Sequence, residues 1–196
     1  VHLAVFGGTF DPPHNGHLAL ALFARELLKI DRIIVSVSNN PFKQRRGTAD
    51  EHRKRMASLL SSEINLTGWS SEVSLWELEK RTPSYTVDLL HYIHELYPHD
   101  RLTLLLGEDS FREFNSWKAY ERLYSLAEIC VFGRASSSGE PAPVSRVGTE
   151  GMRFIDFAYP LSSTAIRELA ASGQSIAPYV PSSIARYIAE HNLYRP

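Results

Sequence analysis

The sequence predicts an α/β protein of one domain, built on a doubly wound, mostly parallel sheet, and three observations carry that expectation. Short Val- and Ile-rich runs at residues 3–6, 33–37, 102–106, 129–132 and 153–157 alternate with longer stretches of helical periodicity. That order is expected of a parallel sheet covered by helices on both faces. The turns Gly7-Gly8, Ser38-Asn39-Asn40-Pro41, Gly107-Glu108-Asp109 and Gly133-Arg134 each follow a predicted strand, so all of them open onto the carboxyl rim, where such sheets bind ligands. The chain of 196 residues, 43% hydrophobic, suits a single domain over 1–196 with a helical C-terminal part from about residue 160.

Composition narrows the partners. Lys and Arg number 21 against 22 Asp and Glu, a net charge of -1, so no global basic field draws the chain to nucleic acid. The one cysteine, Cys130, has no intrachain partner and reads as a small buried residue of a strand. The longest apolar run, residues 18–24, is too short to span a bilayer, and no signal-peptide pattern precedes the first strand. The expectation is a soluble cytoplasmic protein acting on small molecules, with neither nucleic acid nor membrane as partner and its oligomeric state open.

The element that organises the chain is Val5-Phe6-Gly7-Gly8-Thr9-Phe10-Asp11-Pro12-Pro13-His14-Asn15-Gly16-His17. A strand is expected to break at Gly7 and Gly8, which lack side chains and can adopt φ values that other residues avoid, so that a bulky anion can approach the backbone. The chain then turns through two prolines into a helix over 17–29. Unpaired N–H groups at a helix start favour phosphate. His14 and His17 can place ring N–H donors on the same phosphate oxygens. A metal pair would need a third ligand, and none is evident nearby; simple capping or surface histidines are the plainer alternative.

His14-Asn15-Gly16-His17 resembles the HxGH signature of the nucleotidyltransferase superfamily, and the longer Gly7–His17 string is similar to that of bacterial nicotinate-mononucleotide adenylyltransferases. Pro160-Leu161-Ser162-Ser163-Thr164-Ala165-Ile166-Arg167 resembles the superfamily's second signature, Ile-Ser-Ser-Thr-x-Ile-Arg, with Leu161 in place of the isoleucine. There the hydroxyls can cap a helix and bind phosphate, and Arg167, one turn in, can fork onto a phosphate. The resemblance implies a Rossmann-like nucleotidyltransferase fold that moves the AMP part of ATP onto nicotinate mononucleotide and releases pyrophosphate. It further implies ATP binding by Gly7, Gly8, Thr9, Phe10, His14, His17, Gly107, Ser162, Ser163, Thr164 and Arg167. His14, His17, Lys43 and Arg167 would be catalytic, and Mg²⁺ would arrive on ATP with no dedicated metal site.

The remaining elements follow in order. After the second strand, a polar loop over 38–47 carries Asn39, Asn40 and three basic residues; Lys43 can reach a triphosphate, or the loop can simply be solvated. A helix over 50–62 is expected, with Asp50 as N-cap and Met56, Leu59 and Leu60 inward; His52-Arg53-Lys54-Arg55 extends the basic rim or is a solvated helix face, and no role is assigned. In the least legible stretch, 64–76, Val73, Leu75 and Trp76 suggest a short strand and Trp69 a cover for the core.

Ser84 or Thr86 is expected to cap a helix running to residue 96, whose start would welcome a small carboxylate. Glu77-Leu78 followed by Arg81-Thr82-Pro83-Ser84-Tyr85-Thr86 resembles the family's acceptor motif, Glu-Leu…Arg-x-x-Pro-Ser-Tyr-Thr, which implies recognition of the nicotinate acid by backbone N–H groups near Tyr85 and Thr86. Asp109 can accept ribose hydroxyls or cap a helix, and Trp117, set among Asn115, Ser116 and Lys118, suits the wall of a groove. By resemblance Trp117 stacks on the pyridine, and Asp109 and the strand-ending Arg134 join Asn39, Asn40, Lys43, Ser84, Tyr85 and Thr86 in holding the mononucleotide. Residues 135–151, rich in Ser, Pro and Gly, read as a surface segment. A capped C-terminal helix is expected to pack Ile184, Ile188 and Leu193 on the sheet. Three rival readings stand beside this one: another acceptor, either nicotinamide mononucleotide or phosphopantetheine, the latter opposed by the Ser84-Tyr85-Thr86 and Trp117 motifs; a truncated class I aminoacyl-tRNA synthetase core, which would need a lysine-rich loop and more chain; and a sensor that binds nucleotide without turnover.

Overall fold

The computed structural model describes residues 1–39, 48–80, 82–133, 145–147 and 151–195. The elements begin with β1 (His2–Gly8), α1 (Asn15–Leu28), β2 (Arg32–Val37), α2 (Asp50–Asn65), β3 (Ser71–Ser74) and the one-turn α3 (Trp76–Glu79). Next come α4 (Thr86–Leu96), β4 (Arg101–Gly107), α5 (Glu108–Arg112), a 3-10 turn at Phe114–Ser116 and α6 (Tyr120–Leu126). The chain closes with β5 (Glu128–Gly133), β6 (Ser145–Val147), β7 (Met152–Asp156), α7 (Ser163–Ala171) and α8 (Ser182–Glu190).

The strands form one sheet in the order β3-β2-β1-β4-β5-β7-β6. Every neighbouring pair is parallel except β6 with β7, which is antiparallel. The chain steps outward from β1 to β3, then returns to β4 on the other side of β1. The strand order therefore reverses between β1 and β4, and a crevice opens at their carboxyl ends.

Strand periodicity explains the two layers. Along β1, Ala4 and Phe6 join one core cluster while Leu3 and Val5 join the other. β2 sends Ile33, Val35 and Val37 to the first and Ile34 to the second; β5 divides Cys130 and Phe132 from Ile129 and Val131 in the same way. Alternation with both sets buried is what a doubly covered sheet demands. α1, α2, α7 and α8 cover the first face, through residues such as Leu20, Leu60, Ile166 and Ile188. α4 and α6 cover the second with Val87, Leu90, Ile93 and Leu123. Ile184 and Ile188 lie in the first core and Leu193 packs against it. Among the described residues no helix is long and apolar enough to cross a membrane.

Several expectations are corrected. Gly7 and Gly8 do not break the strand: they stay in the ladder opposite Ser36 and Val37, with none of the positive φ angles that other glycines show. The strand runs through Gly8, and the left-handed residue after it is Phe10, φ 49°. Asp50 is not the N-cap of α2; Ala49 is, and Asp50 lies in the first turn. Neither Ser84 nor Thr86 caps α4: the N-cap is Tyr85, with no side-chain cap bond. Trp76 starts α3 rather than extending the short strand. Trp69 is 96% exposed, because the turn after α2 carries it outward beside Gly68, φ 130°.

Phe114, wholly buried, underlies the wall of the crevice, its ring 5.5 Å from Trp117, 5.7 Å from Tyr120 and 5.9 Å from Tyr124. Phe114→Ala is expected to lower unfolding free energy by about 3–5 kcal/mol in urea titration, the cost of a large core cavity. A loss under about 1 kcal/mol would mean that the aromatic cluster closes over the gap.

Candidate active site

The loop from Thr9 to α1 is shaped by packing. The Phe10 ring lies over Gly8, where a Cβ would meet it at 3.1–3.3 Å. It also stands edge-on to Phe6 and His17, at 5.7 and 5.3 Å. Gly8 is thus bare for the sake of Phe10, whereas space is open above Gly7, which lines the crevice. At Gly16 a Cβ would come within 2.9 Å of the His14 ring and 3.1 Å of Tyr159, so the turn tolerates no side chain there.

His14 is the N-cap of α1, and His17 sits three residues on in a reciprocal capping box. The Gly16 N–H donates to His14 Nδ1 at 3.1 Å, and the His14 N–H donates to His17 Nδ1 at 3.1 Å. A nitrogen that accepts carries no proton, so both neutral rings hold theirs on Nε2. Burial pushes the His14 pKa down to about 4. Burial and then the neighbouring His14 push that of His17 well below the ordinary value. Capping and ligand donation, alternatives in the sequence, do not exclude each other here: Nδ1 caps, and Nε2–H is the nitrogen that can donate. The ring centroids are 3.8 Å apart.

The second signature docks on the first. Ser162 caps α7 by accepting from the Ala165 N–H. Ser163 Oγ donates to the Pro12 carbonyl at 2.8 Å. Arg167 Nη1 donates to the Asp11 carbonyl at 2.7 Å, and Nη2 to Thr164 Oγ1 at 3.1 Å. Two of the three hydroxyls expected to serve phosphate are thereby engaged with the protein's own backbone. The Asp11 carboxylate is a further junction: Tyr194 OH donates to Oδ1 at 2.6 Å and the Thr48 N–H to Oδ2 at 3.3 Å. Burial, first, and the Asp11 charge raise the Tyr194 phenol pKa, which keeps it a donor.

Across the crevice, a groove of about 110 Å³ is lined by Gly7, Thr9, Ser38, Glu77, Ser84, Tyr85, Thr86, Ser110, Glu113, Trp117 and Lys118, among others. The first-turn N–H groups of α4 open toward its N-terminal end, as in any helix. Lys118 Nζ lies 4.3 Å from the Tyr85 ring centroid and 3.6 Å from Asp88. Trp117 is half-buried along one wall. Asp109 is exposed in α5, whose N-cap is Gly107, and neither is among the lining residues. Asn39 is half-buried just past β2. The expectations on Asn40, Lys43 and Arg134 lie outside the described residues.

Two charged residues have buried partners that the sequence did not reveal. Arg53, given no role in the sequence, is 9% exposed. Its Nη1 donates to the carbonyls of Ser38 at 2.9 Å and Thr9 at 3.2 Å, and Nη2 to Asp50 at 2.7 Å. Its position carried a signal, since it shares one helical stripe with Met56, Ala57, Leu60 and Ile64. Glu77, 5% exposed, accepts hydrogen bonds from Ser36 and Ser84.

Comparison with known proteins gives the same picture. Residues 5–169 match the model of the cytidylyltransferase-like family. A protein of Pelodictyon phaeoclathratiforme is 60% identical, covering 99% of this chain and 92% of that one. One of Chlorobium limicola is 57% identical, covering 100% and 99%. Both bear the name "Probable nicotinate-nucleotide adenylyltransferase". Among solved structures, the Plasmodium falciparum nicotinic acid mononucleotide adenylyltransferase complexed with NaAD shares the fold, with a TM-score of 0.74, 22% identity, and 98% and 97% of the two chains covered.

The state of the histidine pair is testable. His14 is expected to titrate near pH 4 by NMR, as the Nε2–H tautomer, and His17 to stay neutral below its ordinary range. The unfolded chain takes up these protons near pH 6.5 and the folded chain does not. Stability is therefore complete above pH 6.5 and falls as the pH drops toward 4, by on the order of 3 kcal/mol for His14 alone in denaturant melts. A titration of either ring near 6.5 would overturn the assignment.

Proposed function

The chain belongs to the nicotinate-nucleotide adenylyltransferase family, within the cytidylyltransferase-like proteins, and from that premise we propose that it transfers the adenylyl group of ATP to nicotinate mononucleotide. A phosphate oxygen of the mononucleotide attacks the α-phosphorus of ATP in line, the bond to the β-phosphate bridging oxygen breaks, and nicotinate adenine dinucleotide and pyrophosphate form. No enzyme nucleophile is required, so the protein's task is orientation and stabilisation of charge.

The observation that carries this reading is the pair of neutral, mutually capped histidines at the β1–β4 switch point. Their Nε2–H groups and the α1 N-terminus are fixed before ligand arrives, so charge developing on the α-phosphate meets donors that need not reorganise. Arg167, held against Asp11, and Lys43 would brace the leaving pyrophosphate, with Ser162, Thr164, Thr9 and Gly7 around the nucleotide. On the acceptor side, the start of α4 suits a ring carboxylate, and Trp117 offers a flat face to a pyridine.

Among the described residues, no three His, Cys, Asp or Glu side chains gather as a metal site. We assign Mg²⁺ to the ATP itself, where it would neutralise triphosphate charge. Both substrates being soluble nucleotides, the protein is assigned to the cytoplasm, with neither nucleic acid nor membrane as partner.

The deciding assay is pyrophosphate release with Mg-ATP and, in turn, nicotinate mononucleotide, nicotinamide mononucleotide and phosphopantetheine. Preference for the nicotinate acceptor is expected; ATP binding without release would favour a sensor. In the same assay His17→Ala is expected to cut turnover by about a hundredfold or more, as when one preorganised donor is removed. A rate near that of the unaltered protein would refute the role of His17.

A further inference from the structure

Glu77 is a buried carboxylate that the reaction as written does not use. Ser36 Oγ donates to its Oε1 at 3.1 Å and Ser84 Oγ to its Oε2 at 2.9 Å, and the nearby Asn39 backbone favours its charged form. Ser36 lies wholly buried on β2, Asn39 follows that strand, and Ser84, 4% exposed, enters α4. One side chain therefore ties the carboxyl end of β2 to the turn that sets the start of α4. From the other side, Arg53 grips Ser38 and Thr9, so the whole rim is braced.

A carboxylate here is costly, because it is desolvated and lines the same groove as Tyr85 and Thr86, where an anionic acceptor would bind. Burial accordingly raises its pKa, while the Ser84 and Ser36 hydrogen bonds, the Asn39 backbone and the Arg53 charge oppose that rise. What a carboxylate provides is acceptor capacity: both hydroxyls donate, one to each oxygen, and an ionised carboxylate takes both. Any site where backbone N–H groups choose a carboxylate over a carboxamide depends on those donors being held still. A fixed pair of donors leaves a carboxamide with N–H facing N–H, whereas a loose turn can rotate to accept it.

We propose that Glu77, acting through Ser84, is the positioning residue that holds the α4 N-terminus in the orientation that selects a carboxylate over a carboxamide on the acceptor ring. The inference rests on the groove being the pyridine mononucleotide site.

The test uses the full chain with Mg-ATP, steady-state pyrophosphate release with each pyridine mononucleotide, and thermal melts of Glu77→Ala, Glu77→Gln and Ser84→Ala. Glu77→Ala and Ser84→Ala are each expected to raise KM for nicotinate mononucleotide about tenfold and to cut the nicotinate-to-nicotinamide ratio of kcat/KM similarly. KM for ATP should stay within about twofold. Glu77→Gln, which can still bridge both hydroxyls once one rotates, should fall between these variants and the parent. Folded variants with an unchanged ratio, or with both KM values rising together, would overturn the inference. Should Glu77→Ala not fold, Ser84→Ala decides, since it cuts the bridge and keeps the carboxylate. Absence of release by the unaltered protein with either acceptor would instead overturn the function, and this inference with it.

Discussion

The reciprocal hydrogen bonds of His14 and His17 are the constraint on which the rest of the rim depends. A helix start must satisfy N–H groups that have no intrahelical partner, and here imidazole nitrogens satisfy two of them. The arrangement decides the tautomer of both rings, and burial holds them neutral. Two donors thus come with no net charge to be desolvated. Gly16 is required because the His14 ring occupies the space of its Cβ, and Phe10 and Gly8 fit together to close the pocket behind His17.

Around that pair, segments far apart in the chain converge on Asp11. Its carbonyl takes Arg167 from α7, and its carboxylate takes Tyr194 from the C-terminal segment and the Thr48 N–H at the foot of α2. A local turn could not hold this geometry by itself, since prolines at 12 and 13 remove two donors from it. The C-terminal helices therefore do more than cover the sheet: they anchor the loop that presents the histidines.

Across the crevice the same logic uses buried charge. Arg53 and Glu77 take no space from the hydrophobic cores, yet each fixes backbone at strand ends, where regular ladder bonds have run out. Isolated buried charges are destabilising; these are tolerated because every neighbour is a complementary donor or acceptor. Their cost is the measure of how firmly the rim has to be held.

Much of this was legible in the chain. The five strand runs, the helices between them and the carboxyl-rim site follow from continuous apolar runs set between amphipathic stretches, because burial of both sheet faces makes strands apolar throughout while one-sided burial puts a stripe on helices. His14, His17, Ser162 and Arg167 stood out through resemblance to family signatures, and Ser162 also as a preferred N-cap type. What the tertiary structure alone decided lies where two distant segments meet. Arg53 has no assigned role until the carbonyls of Thr9 and Ser38 are seen beside it. Trp69 reads as core until the turn at Gly68 sends it outward. The role of Glu77 needs Ser36 and Ser84 brought to either side of it. Periodicity and capping are properties of neighbours in sequence and are written there; hydrogen bonds across a crevice are properties of neighbours in space, and only the folded sheet creates them.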